Sequence, residues 1–274
     1  MPVFFLLLVF VIAPLAAMMS LTFFRSTMFG LDWHLTLANY ARLFSDPIYL
    51  GLLLKSLRIS VTVTLVVIVV GYPMAYWLAR VVLRGKYLCL LLIFIPYWID
   101  YLIRTYAWVP LLGRGGIINH VAIRLGLIGE PLSVLLHNEF AVHLVLVYVF
   151  LPFGLIPLYL SLERLDRQVL QASADLGASP VATFIHVILP LSIPGLAGGG
   201  LTVFILTVGA YVTPKLVGGP SGIMFGNLVA DQFGATFNWS WGATLAVALA
   251  VVTFVMVVAL SRRIRIAQVF LQTE

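Results

Sequence analysis

Charged residues are scarce in this chain, which indicates that most of it is surrounded by lipid. Of the 274 residues, only 9% are Asp, Glu, Lys or Arg, whereas 62% are hydrophobic. Soluble globular proteins carry roughly a quarter charged residues, so the polar surface available here is too small to cover a water-exposed globule. The sequence therefore excludes a cytosolic enzyme or a secreted domain and predicts an integral membrane protein.

Residue patterns that would support catalysis are also missing. The single cysteine, Cys89, excludes an intramolecular disulfide, and the five histidines show no paired spacing for a structural metal. No Gly-x-x-x-x-Gly-Lys-Ser/Thr phosphate loop occurs, so this chain is not expected to bind ATP or any other cofactor itself. The sequence predicts a protein that is not an enzyme.

Charge-free windows define the expected fold. A helix needs about 20 apolar residues to cross roughly 30 Å of hydrocarbon. Five such windows, and a sixth apolar window that is interrupted by Pro96, Asp100 and Arg104, predict an all-α, polytopic membrane protein with a single transmembrane domain over residues 1–274. The first window lacks a preceding basic segment and is long for a signal peptide, so it is interpreted as a retained span. The predicted spans lie near 2–24, 59–79, 88–110, 140–161, 190–212 and 241–261.

Basic residues set the expected orientation. The net charge of +6 is dispersed along the chain, so it indicates membrane topology and no nucleic-acid surface. Three basic residues lie in the turn 80–86 and three more in 262–265, with no acid in either group. Under the positive-inside rule these two faces are cytoplasmic, and both termini are therefore expected in the cytoplasm.

The loop 162–189 has the most informative local pattern. Apolar residues recur every three to four positions from Leu162 to Ala172, which predicts a short helix. Gly177 is suited to the left-handed position that ends a helix, and Pro180 to the start of another. Leu170 and Leu176 would serve as apolar anchors for a partner protein. The loop is thus predicted to be a helix, a turn and a second helix.

This loop resembles the EAA loop of ABC importer permeases, whose pattern is Glu-Ala-Ala, three residues, Gly, nine residues, Ile, one residue, Leu-Pro. The spacing is kept throughout, but glutamine, serine and valine replace Glu, the second Ala and Ile. The matching positions are Gln171, Ala172, Ser173, Gly177, Val187, Leu189 and Pro190.

Further segments are similar to the spermidine/putrescine-type permeases of this family: 71–73, 96–98, 103–108 and 165–166. The resemblance implies a type I ABC importer permease in a bacterial inner membrane. It implies as partners a second permease subunit, two ATPase subunits that bind ATP-Mg, and a periplasmic or lipoprotein substrate-binding protein. The residues expected to couple to the ATPase are Gln171, Ala172, Ser173, Asp175 and Gly177.

The third predicted span contains an acidic residue, Asp100, that would lie deep in the membrane. In a continuous helix over 88–110, Asp100 would lie far from water, and a buried acid costs about 2.5–3.5 kcal/mol, so such residues usually face a pathway. Arg104 would then lie one turn further on the same face, where it could pair with Asp100 and merely permit insertion. Both interpretations are open from the sequence. The candidate substrate path comprises Tyr97, Asp100, Tyr101, Arg104 and Tyr211.

The aromatic residues around Asp100 favour a cationic amine, which can exchange water for aromatic faces. A polyamine is expected first, then another small amine, an amino acid or an opine-like solute; Lys215 near the outer end of the fifth span counts against a polyamine. The competing hypothesis is an ion-gradient-driven secondary transporter, which would need several intramembrane acids and inverted repeats. A co-purifying ATPase would separate the two.

Overall fold

The apolar windows of the sequence fold into long helices. A computed structural model describes residue 6, residues 8–27 and residues 30–272, with side chains described as far as Arg262. Within this part of the chain, four helices are long and apolar enough to cross a membrane, and a fifth crossing results if one bent helix pair is counted as a single span. The four are Pro47–Val81, Glu139–Glu163, Pro180–Val208 and Trp239–Arg262.

Shorter helices and one hairpin connect these spans. The strands β1 (Arg25–Thr27) and β2 (Gly30–Asp32) form an antiparallel pair in which Arg25 lies opposite Asp32, a small exception to the all-α class. The helices are α1 (Leu8–Leu21), α2 (Ala38–Ser45), α3 (Pro47–Val81), α4 (Lys86–Trp98), α5 (Tyr101–Tyr106), α6 (Trp108–Leu112), α7 (Ile117–Arg124), α8 (Glu139–Glu163), α9 (Arg167–Asp175), α10 (Pro180–Val208), α11 (Val212–Val217), α12 (Gly219–Gly222), α13 (Phe225–Gly234) and α14 (Trp239–Gln272).

Side-chain caps fix where the long helices begin. The Asp46 carboxylate accepts a hydrogen bond from the Ile48 amide at 2.9 Å, at the start of α3. The Asn138 side chain accepts from the Ala141 amide at 2.9 Å, at the start of α8. These bonds satisfy amides that have no partner inside the helix, which is why Asp and Asn are favoured at such positions.

Helices α3, α8 and α10 pack tightly because glycines remove side chains where they cross. A Cβ on Gly199 of α10 would lie 2.7 Å from the carbonyl oxygen of Gly154 in α8, and a Cβ on Gly154 would lie 2.6 Å from the Val67 side chain in α3. Gly195 meets Ser161 in the same way. The small residues of α10 are therefore explained by close helix packing, which is common between membrane helices.

The two ends of this three-helix core are built differently. At one end, Tyr72, Leu158 and Ile188 are buried together beside the 162–189 loop. At the opposite end, Phe225 and Trp241 are buried together, and Ser240 at the start of α14 donates its amide to Ser26 of the hairpin at 3.1 Å. The loop and the hairpin thus lie at opposite ends of the bundle.

The helices coincide only in part with the spans expected from the sequence. Helices α3, α8, α10 and α14 overlap the windows 59–79, 140–161, 190–212 and 241–261. Of the window 2–24, residues 2–5 and 7 lie outside the described residues, and α1 occupies most of the rest. The continuous helix expected over 88–110 is wrong, since the chain bends by 91° between Trp98 and Tyr101.

Candidate functional site

The 162–189 loop begins with a helix whose ends are both capped. At its start, the Asp166 carboxylate accepts from the Gln168 amide at 2.9 Å. At its end, Gly177 takes a φ of +80°, its amide donates to the Ala174 carbonyl at 2.9 Å, and the Ala178 amide donates to the Ser173 carbonyl at 3.1 Å. This pair of bonds around a left-handed glycine is the Schellman motif. A short helix that is ended by Gly177 is confirmed, but it covers Arg167–Asp175 and does not begin at Leu162, which belongs to α8.

The second helix of the loop starts where the sequence indicates. The Ser179 hydroxyl accepts from the Ala182 amide at 3.2 Å, and Pro180 occupies the first turn. The hydroxyls of Ser173 and Thr183 share a hydrogen bond of 2.9 Å, which ties α9 to the start of α10. The loop is a defined helix–turn–helix unit continuous with a membrane-spanning helix.

The predicted coupling residues do not all face solvent. Gln171, Ala172, Asp175 and Gly177 are exposed, whereas Ser173 is half-buried through its bond to Thr183. Leu176 is 88% exposed, as a docking anchor requires. The other predicted anchor, Leu170, is wrong because it packs against the core of α3, α8 and α10.

Two cations connect this loop to the turn between α3 and α4. Arg80 donates to the Leu165 carbonyl at 2.7 Å, just before α9. Lys86 donates to the Glu163 carboxylate at 2.9 Å and to the Ala79 carbonyl at 3.0 Å. In the sequence, the basic residues of the 80–86 turn indicate only the orientation of the chain. The partners of Arg80 and Lys86 lie 85 and 77 residues away, so no local pattern predicts these two contacts.

The break in the third predicted span is built by a proline and a capping acid. Pro96 lies in a 3₁₀ turn over Ile95–Trp98, and Ile99 is extended. Asp100 then begins a new helix, since its carboxylate accepts from the Leu102 amide at 2.8 Å. Asp100 is exposed on this chain. An Asp with N-capping geometry competes with helix continuation, which explains why the helix ends here.

Arg104 is directed away from Asp100. Its guanidinium lies over the Tyr97 ring, 4.2 Å from the centroid, and donates to the Pro96 carbonyl at 3.3 Å. The ion pairs found among the described side chains do not include Asp100 with Arg104. The pairing considered from the sequence is therefore wrong, because the chain bends between the two helices and Asp100 lies at the bend.

The structure brings two of the candidate path tyrosines together. Tyr101 shares a hydrogen bond of 2.8 Å with Thr213 of α11 and lines a cavity of 240 Å³ with Tyr211. Tyr97 lies elsewhere, donating its hydroxyl to the Tyr148 carbonyl of α8. The cavity is otherwise lined by Phe150, Leu206, Gly209, Ala210 and Val212.

Lys215 is compensated by a partner on the neighbouring helix. Its ammonium group donates to the Asp231 carboxylate at 2.8 Å. The positive charge near the end of α10, which counts against a cationic substrate from the sequence alone, is therefore neutralised locally.

The fold and the loop together define a multi-pass permease component of an importer. Residues 68–266 match the family described as the inner membrane component of binding-protein-dependent transport systems, and the chain belongs to this family. The spermidine/putrescine transport system permease protein PotB of Escherichia coli (strain K12) is 38% identical over 231 residues, which is 84% of this chain and 83% of that protein. PotB of Haemophilus influenzae is 33% identical over 254 residues, covering 92% and 87%.

A solved structure has the same fold. The bacterial alginate ABC transporter, in complex with an alginate pentasaccharide-bound periplasmic protein, matches with a TM-score of 0.75 at 13% identity, over 97% of this chain and 92% of that one. The ABC importer permease fold and the resemblance to permeases are confirmed. The chain is an inner-membrane permease component and not an enzyme, and the family membership decides against an ion-gradient-driven transporter.

Proposed function

We propose that this chain is one of two permease subunits in an ATP-driven importer of a polyamine such as spermidine or putrescine. The observation that carries this proposal is the 38% identity to a spermidine/putrescine permease over more than four-fifths of both chains.

The charges around the broken helix support a cationic substrate. Asp100 uses one carboxylate oxygen to cap α5, and it forms no salt bridge with Arg104, whose guanidinium lies over Tyr97. Tyr101 and Tyr211 line a cavity and can present aromatic faces to an ammonium group. Since Lys215 is paired with Asp231, its charge does not oppose an entering cation. Asp100 is accordingly proposed as the residue that attracts the amine.

The exposed face of α9 supports an ATPase partner. Leu176 and Val169, seven positions apart, are 88% and 43% exposed, and a large apolar side chain on a water-facing loop is typical of a protein contact. We assign two ATPase subunits, which would bind ATP-Mg, to this loop and to its counterpart on a second permease subunit. The binding-protein dependence of the family supports a periplasmic or lipoprotein partner at the hairpin end.

The orientation follows from the same assignment. The basic 80–86 turn contacts the 162–189 loop through Arg80 and Lys86, so one end of the bundle holds both the basic turn and the ATPase contact. The positive-inside rule puts this end in the cytoplasm, and with it both termini. A reporter at the C-terminus that is active only in the cytoplasm should be active.

Transport by the assembled complex tests the function. The two permease subunits, the ATPase and the binding protein are reconstituted in proteoliposomes with ATP on the ATPase side, and uptake of labelled spermidine and putrescine is measured. We expect saturable uptake that requires the binding protein and stops when the ATPase lacks its phosphate-loop lysine. Uptake of arginine or another amino acid without uptake of either polyamine would overturn the substrate assignment while leaving the permease role intact.

A further inference from the structure

A cavity of 300 Å³ lies between the end of α3 and the loop helix α9. Its lining residues are Tyr76, Arg80, Arg167, Leu170 and Gln171. Two guanidinium groups, a phenol and an amide give this cavity a strongly donating, positively charged wall. Among its lining residues none carries a carboxylate, so the site is suited to an anion.

Two acidic residues of the 162–189 loop already have hydrogen-bond partners. Glu163 accepts from Lys86 at 2.9 Å, and Asp166 caps α9 through the Gln168 amide. Arg80 uses one terminal nitrogen on the Leu165 carbonyl, but its Nε is buried without a hydrogen-bond partner. This Nε has almost no exposed surface, so a ligand in the cavity cannot reach it. The donors available to an anion are the remaining terminal nitrogen of Arg80 and the guanidinium of Arg167.

Gln171 explains why the charge of this cavity is not balanced from within. In the EAA pattern this position is a glutamate, which here would put a carboxylate into a cavity lined by Arg80 and Arg167. Glutamine keeps the length of the side chain but removes the charge. The departure from the family pattern therefore coincides with a site for an external anion.

We propose that this cavity binds the phosphate group of an anionic phospholipid. The planar guanidinium fork matches phosphate oxygens, and basic pockets between membrane helices on the cytoplasmic side take lipid headgroups. Tyr76 lies in a membrane-spanning helix beside Trp77, which is 51% exposed and available to lipid. A free phosphate ester shares the same chemistry and is distinguished below.

The geometry of α9 favours lipid over an acidic side chain of the ATPase. Arg167, Leu170 and Gln171 are spaced to share one face of the helix, and Leu170 on this face packs against the bundle. The exposed apolar residues Val169 and Leu176 lie on a different face. A partner that covers the apolar face would therefore leave the face with Arg167 and Gln171 uncovered.

Lipid retention by the purified complete transporter tests the proposal. Phosphatidylglycerol is titrated into the detergent-solubilised complex, and bound lipid is counted by native mass spectrometry. Gln171→Glu supplies an internal carboxylate and Arg167→Gln removes a donor, so each should weaken phosphatidylglycerol binding by about tenfold or more, the effect of losing one charge-assisted contact. The matched controls, Gln168→Glu on the same helix and Arg84→Gln in the adjacent turn, make the same charge changes outside the cavity and should bind as the unmodified complex does.

Three results would contradict the lipid assignment. Equal phosphatidylglycerol retention in all variants would show that the cavity holds no headgroup. Binding of glycerol 3-phosphate that depends on Gln171 and Arg167, without retention of phosphatidylglycerol, would assign the phosphate site to a soluble ester. Loss of ATPase subunits from Gln171→Glu with lipid still bound would show that the cavity takes a carboxylate of the ATPase.

Discussion

The guanidinium of Arg104 lies 4.2 Å from the centroid of the Tyr97 ring, and this contact keeps it away from Asp100. Cation–π contacts of this kind are worth about 0.5–2 kcal/mol, more when water is excluded. Because Arg104 is held on the α4 side of the bend, the carboxylate that begins α5 has no cationic partner from its own helix. The local arrangement separates an acid and a base that the sequence places one helical turn apart.

Asp100→Asn should reduce polyamine uptake by about tenfold or more while complex assembly persists, because asparagine caps a helix as well as aspartate but cannot attract an ammonium group. Uptake and subunit stoichiometry are measured in parallel. Asp46→Asn is the matched control, since Asp46 caps α3 with the same side-chain bond. The double variant with Arg104→Gln should not recover; recovery would show that the two residues act as a pair.

Gly177→Val should uncouple ATP hydrolysis from uptake. The φ of +80° is strained for a β-branched residue by about 1 kcal/mol or more, and no atom lies within 4 Å of a Cβ built there, so the effect comes from the backbone alone. Gly177→Asn is the control, because asparagine tolerates this conformation. The ratio of uptake to ATP hydrolysed should fall for valine and remain near normal for asparagine; equal ratios would contradict the capping role.

Lys86→Glu should weaken the connection between the 80–86 turn and the end of α8. Loss of the partly buried pair with Glu163 is expected to lower substrate-stimulated ATPase activity about two- to fivefold, which corresponds to ~0.5–1 kcal/mol. Adding Glu163→Lys should restore part of this loss by exchanging the two charges. Arg84→Glu reverses a charge in the same turn and serves as the control, because Arg84 forms no ion pair with the side chains that the structure describes. A swap that restores nothing would show that the pair contributes no coupling.

Gly199→Ala should destabilise the bundle, since its Cβ would lie 2.7 Å from the Gly154 backbone oxygen and overpacking costs about 1–3 kcal/mol. The adjacent Gly198→Ala is the matched control, because its Cβ would lie at an ordinary 3.7 Å from Pro157. Thermal unfolding of the solubilised complex is the measurement. We expect a lower midpoint for the Gly199 variant only; equal midpoints would refute the close crossing of α8 and α10.

The sequence predicts those parts of the structure that depend on a few neighbouring residues. Gly177 and Pro180 indicate the turn and the following helix start because backbone preference depends on a few neighbouring residues. The local sequence does not predict the break at Asp100, because an aspartate can either cap a new helix or pair with Arg104 in a continuous helix. Hydropathy measures how apolar a segment is and contains no information about the direction of the chain. It therefore predicted one continuous span over 88–110.

Sites that join distant segments could not be predicted. Arg80 and Gln171 line one cavity only because α3 and α9 meet at the loop end of the bundle. No motif in the sequence around either residue indicates this contact. The same holds for Lys215, whose partner Asp231 is on a different helix. Which polar groups neutralise one another depends on packing between helices, and a single sequence contains no record of that packing.

The short length of α4 has an electrical consequence. Its nine α-helical and four 3₁₀ residues rise about 20 Å. With α4 along the membrane normal and Lys86 at the cytoplasmic surface, as in the orientation proposed above, Asp100 would lie roughly two-thirds of the way across a 30 Å hydrocarbon layer. A cation that enters from outside would reach Asp100 after about one-third of the membrane voltage drop. The remaining two-thirds favours inward movement by ~1.5 kcal/mol per charge at 100 mV, negative inside. A multiply charged amine released from Asp100 would be drawn inward by the field itself.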